Sequence, residues 1–96
     1  MSFDDVLGAV EEARGAEREE WLGRHGDWGK WVVLRLARRY TGMTLAALGR
    51  EMGARTGRDM DYAAVSAGLR WFDRRKKPRK TAAVERRACK ILNPST

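Results

Sequence analysis

Residues 58–77, RDMDYAAVSAGLRWFDRRKK, combine a polar cap, apolar residues at helical spacing and a closing burst of positive charge. Asp61 is placed to cap a helix, because its short carboxylate can accept the free amide N–H groups of a first turn. Val65, Leu69 and Phe72 then repeat at the spacing of one helical face and predict an inward stripe. Gly68 lies on that stripe and allows a neighbouring helix to come close. The outer face presents Tyr62, Ser66, Arg70 and Arg74. What that face touches is the functional question.

Upstream, Thr44 caps a helix carrying Leu45, Leu48 and Met52, Gly53 is expected to end it, and residues 54–60 form a basic turn. Before it, Asp27 caps a helix whose inward residues include Trp28, Trp31, Val32, Leu36 and Tyr40, with Gly42 placed to terminate it. Nearer the start, Phe3, Val6, Leu7 and Val10 fit a short helix that stops near Gly15. Residues 16–22 form a second short candidate anchored by Trp21 and Leu22. Downstream, Pro78 separates the stretch from a last helix through Val84, Ala88, Ile91 and Leu92, and residues 93–96 are expected to fray. No strand pattern and no repeat appears. The reading is an all-α bundle of five to six helices, one domain over residues 1–96, with a helix-turn-helix at about residues 44–75.

Composition narrows the function. With 96 residues the chain can build one small core. The longest apolar run, residues 31–34, is far short of the roughly 20 residues of a membrane span. An acidic start with Asp4, Asp5, Glu11 and Glu12 does not read as a secretory signal. A single cysteine, Cys89, fits a reducing cytoplasm. One histidine, His25, and one cysteine cannot make a zinc site or a Cys-His pair within one chain, so neither metal nor nucleophilic catalysis and no cofactor is expected. The net charge of +7 is one-sided. Residues 1–48 carry seven Lys/Arg against eight Asp/Glu, and residues 49–96 carry thirteen against five. An anionic partner for the second half follows.

Two capped helices joined by a glycine-containing turn and followed by basic residues have the logic of a DNA-reading pair. The first would brace the second, and the second would lie in a major groove with its N-terminal residues nearest the bases. Asp61, Tyr62, Ala63 and Ser66 are then the base-reading candidates, Asp61 accepting from a cytosine amino group in addition to capping. Lys30, Thr44, Arg55, Arg58, Arg70 and Arg74 are the backbone candidates, and Arg24 and His25 adjoin Lys30 in a basic loop. Each has a plainer reading. Asp61 caps, Tyr62 packs on a neighbour, and DRRKK is a solvated helix end suited to the dipole. The tryptophans Trp21, Trp28, Trp31 and Trp71 are expected in the core rather than as a stacking platform.

RRYTGMTLAALGREMG, followed by DYAAVSAGLRWF, resembles the DNA-binding C-terminal domain of the bacterial replication initiator DnaA, of the Trp-repressor-like superfamily. Thr41, Thr44, Leu45, Leu48 and Gly49 stand where that pattern expects them, and DYAAV stands in the place of its recognition opening. The version appended to REP-associated tyrosine transposases is more similar still, sharing DYAAVS and HGDWG style segments. The resemblance implies a compact helical domain that binds duplex or hairpin DNA, with a basic loop on the backbone or minor groove, alone or as part of a larger transposase or replication protein. Tyr62, Ala63 and Ala64 replace His-Thr-Thr, so the initiator's site preference does not carry over, and the turn across residues 53–60 is longer than usual. Neither the transposases' paired histidines nor the initiator's phosphate loop is present. The alternatives are a helical protein-interaction adaptor, marked by exposed Phe3, Trp21 or Trp28, and a transposon remnant without function.

Overall fold

The computed structural model describes residues 1–94. Five α-helices occur among them: α1 (Phe3–Arg14), α2 (Gly29–Thr41), α3 (Leu45–Thr56), α4 (Tyr62–Arg74) and α5 (Arg79–Leu92). α1 packs on α5, α3 packs on α4, and α2 touches all four. A single apolar cluster unites them, with Val6, Leu7, Val10, Val32, Leu34, Leu48 and Met52 almost wholly removed from solvent. The Cα radius of gyration is 12.3 Å, close to the roughly 12.5 Å of a compact chain of this length.

Local chemistry sets most boundaries. Ser2 and Asp5 form a reciprocal capping box at the start of α1, and Gly15 closes it at φ 72°. The Thr44 hydroxyl accepts the Ala47 amide at 3.1 Å, and the Asp61 carboxylate accepts the Ala64 amide at 2.7 Å, as their positions predict. Gly42 ends α2 at φ 69°.

Three expectations are corrected. Residues 16–22 hold only a 3₁₀ turn at Arg18–Glu20. Side chains satisfy that backbone instead: Glu11 takes the Arg18 amide at 2.7 Å, Glu20 takes the Glu17 amide at 3.0 Å, and the Trp21 indole donates to the Ala16 carbonyl at 3.1 Å. Asp27 serves α2 from one position further out than a cap, accepting the Gly29 amide at 2.7 Å while Trp28 holds the cap position. Gly53 does not end α3, which continues to Thr56 and closes at Gly57, φ 78°. A side chain at Gly53 would strike Asp59, and one at Gly49 would strike the Met60 carbonyl. Both glycines are seats for the connection, not stops, and the connection shortens to residues 57–61. At the C-terminus, the Asn93 amide donates to the Cys89 carbonyl at 2.8 Å as α5 ends. Ser95 and Thr96 lie outside the described residues.

Candidate nucleic-acid interface

The inward stripe of α4 forms as its spacing predicts, with Val65 and Phe72 buried and Leu69 half-buried. This fixes what the helix shows outside. Tyr62 is 65% exposed, Ala63, Arg70 and Arg74 are exposed, and Ser66 is half-buried at the margin. Asp61 is exposed with one carboxylate oxygen committed to the Ala64 amide, so its other oxygen stays open. Among the described residues Arg70 and Arg74 have no carboxylate partner. The acid of this helix, Asp73, lies in register with Tyr62 and Ser66 and is paired there with Arg35 of α2 at 3.2 Å, and Arg35 also reaches Glu85 of α5 at 3.6 Å. Toward its C-terminal end the outer face of α4 therefore carries the cations Arg70 and Arg74, with the charge of neighbouring Asp73 matched by Arg35.

A second group of polar side chains, among them the cations Arg24, Lys30 and Arg58 and the carboxylate of Asp59, meets at the connection before α4. Arg24, His25 and Lys30, from the loop and first turn of α2, line a recess of about 220 Å³ together with Arg58, Asp59 and Met60. The turn from α3 is held over that helix by the Gly49 and Gly53 seats, and the Thr56 hydroxyl accepts the Arg58 amide at 3.3 Å. Residues 30 and 58, well separated in the chain, are thus brought to one concavity, and the chain enters α4 immediately afterwards. Lys30 also lies over the Trp31 ring at 5.3 Å, leaving its ammonium at the surface. Thr44 stands exposed at the start of α3 with its hydroxyl engaged in capping.

Arg55 stands apart from these groups. Its guanidinium donates to Asp4 at 2.7 Å and 3.1 Å and to Glu51 at 2.7 Å, and it stacks over Phe3 at 4.6 Å. Its hydrogen bonds and charge hold the Asp4 carboxyl below its ordinary pKa. This arginine fastens α1 to α3, and its charge is largely neutralised.

The tryptophans divide. Trp21 is buried, Trp28 and Trp31 are half-buried, and Trp71 is 51% exposed, contrary to its expected place in the core. Trp71 precedes Phe72, and adjacent helical positions point about 100° apart. Phe72 lies in register with Val65 and Leu69, so Trp71 is left at the edge of the stripe, where Arg75 covers its ring at 4.4 Å. That register was available in the sequence and marks Trp71 as the surface aromatic that residue type alone concealed.

Among the described residues there is no group of three or more acidic, histidine or cysteine side chains able to hold a metal, and no helix is long and apolar enough to cross a membrane. No family model, curated protein or solved structure matches the chain.

Proposed function

We propose that this chain is a DNA-binding domain in which α3 and α4 act as a helix-turn-helix and α4 enters the major groove. The observation that carries the reading is the convergence of cations around one exposed helix. Arg70 and Arg74 line its outer face, and Arg24, Lys30 and Arg58 gather beside its start. Such an arrangement suits phosphates flanking a groove, while Tyr62, Ala63, Ser66 and the open oxygen of Asp61 face the base edges. The resemblance of residues 38–53 and 61–72 to the initiator and transposase C-terminal domains supports the same assignment. On this reading the protein works in the bacterial cytoplasm, has no catalytic activity of its own, and acts alone or joined to a transposase or replication protein. Of Phe3, Trp21 and Trp28, which an adaptor would expose, the first two are buried and Trp28 is half-buried.

Fluorescence anisotropy with labelled random duplex and hairpin DNA, over about 50 to 300 mM salt, tests this reading. With about six phosphate contacts, affinity should fall roughly a thousandfold between ~50 and ~200 mM salt. A preference for the hairpin would favour the transposase-like role. Absence of binding at the lowest salt would overturn the reading.

A further inference from the structure

An aromatic-walled cavity lies beside the C-terminal half of α4. It has a volume of about 340 Å³, at the lower end of the ~300–1,000 Å³ typical of small-ligand sites. Its walls are Trp28, Trp31, Trp71 and Phe72. Lys30, Arg75, Lys76 and Lys77 also line it, with Arg75 4.4 Å from the Trp71 ring and Lys77 4.8 Å from the Phe72 ring. The carboxylate in the lining, Asp27, is held in a two-pronged pair with Arg14 at 2.7 Å and 3.0 Å, so the cavity stays electropositive.

Two further features point to a ligand. Thr81 lines the cavity and is only 1% exposed, yet its hydroxyl has no hydrogen-bond partner. A buried hydroxyl left unpaired is costly, which makes a hydrogen bond from an occupant valuable. Thr81 also belongs to the first turn of α5, whose cap position is held by Pro78 without any side-chain cap. The amides of that turn are therefore available to an anion.

From these observations we infer that the cavity binds one unpaired nucleotide. The base stacks against the tryptophan wall, the Thr81 hydroxyl meets a polar edge, and the phosphate lies between the Lys76–Lys77 segment and the uncapped start of α5. Aromatic surface, cations and a free hydroxyl in one recess match the two halves of a nucleotide, a planar apolar ring and an anion. Arg75 and Lys77 lie over the rings in the way a base does, and an incoming base exchanges with them and releases them to the phosphate. His25 and Lys30 line both this cavity and the basic recess before α4, so the two sites adjoin. The inference rests on the DNA-binding reading for its source of nucleotide, a strand end or an unpaired position beside the duplex. A free mononucleotide carries the same chemistry.

The experiment compares labelled blunt duplex, the same duplex with a two-nucleotide overhang, and that overhang with abasic sugars, together with tryptophan quenching by free deoxyadenosine monophosphate. The overhang should raise affinity on the order of tenfold, a gain that the abasic overhang lacks. Trp71→Ala, at an exposed position, should abolish the gain while leaving blunt-duplex binding intact. Thr81→Val should reduce the gain roughly threefold while leaving thermal stability equal or higher, because the hydroxyl it removes has no partner in the free protein. A gain that survives abasic substitution, or no gain with blunt binding intact, overturns the nucleotide site and leaves the DNA-binding reading standing. Saturable quenching by the mononucleotide without any DNA binding upholds the site, assigns it to free nucleotides and overturns the DNA reading. Failure of every arm overturns both.

Discussion

Trp31 of α2 and Gly68 of α4 interlock: the indole ring fills the space in which a side chain at residue 68 would begin. The angle at which α4 is presented depends on this contact, because α2 reaches every other helix and α4 leans on it here. Gly68→Ala sets two effects against each other. Alanine improves helix propensity by about 1 kcal/mol. Overpacking typically costs about 1–3 kcal/mol, and here the obstruction is the edge of a large, rigid ring that would have to shift toward the cavity it lines. Packing should win, for a net loss of about 1 kcal/mol and a fall of about 4–8 °C in Tm by circular dichroism. An increase in Tm would show that the ring swings aside freely.

Much of the molecule was readable because the information is local. Thr44 and Asp61 cap through amides three residues away, and Gly15 and Gly42 take the left-handed conformation that ends α1 and α2. Asp27 and Trp71 were misplaced although the information was local, in the Gly29 amide two residues on and in the register of α4. Other errors arise where a residue's role depends on a segment folded back from elsewhere. Gly53 has the same local appearance as a helix stop, and only the fold-back of Asp59 shows it to be a seat. The anchor of Arg55 is Asp4, 51 residues away. Neither of the two recesses could be read, since each joins the loop before α2 to a segment far along the chain.

That long-range pair separates stability from binding. Arg55→Ala should lower stability by about 1–2 kcal/mol, chiefly through lost stacking on Phe3 and the lost Glu51 pair, since the exposed Asp4 arm is screened by water. Affinity for DNA should change by less than about twofold, because a charge already matched by two carboxylates releases few counterions. A large loss of affinity with unchanged Tm would place Arg55 on the phosphate backbone after all.

Arg70 and Arg74 should behave in the opposite way. Replacing both with alanine should leave Tm nearly unchanged and weaken binding to all sequences alike, with the slope of log affinity against log salt shallower by about 2. Tyr62→Ala and Ser66→Ala should leave the slope alone and alter the ranking of sequences in a selection from random duplexes. If all four changes leave binding untouched, α4 is not the helix in the groove.

Acid should loosen the junction between α1 and α2. Burial raises the Asp27 pKa, but the Arg14 hydrogen bonds and the Gly29 amide more than offset this and leave it below the ordinary value of 3.8. The unfolded chain therefore takes up the proton first as pH falls. The stabilisation is complete above the ordinary value and is lost as pH drops through the lower, folded one. Asp27→Asn removes this contribution at neutral pH and leaves Arg14, only 14% exposed, without its anion between the Trp21 and Trp28 rings. Removing one partner of a largely buried pair costs about 3 kcal/mol. The variant should start with a lower Tm at pH 7 and lose less on acidification below about pH 4 than the parent does. Parallel Tm curves for parent and variant would show that Asp27 does not govern the acid response, leaving Glu11, whose pKa the Arg18 hydrogen bond lowers against the opposing effect of burial, as the group to change next.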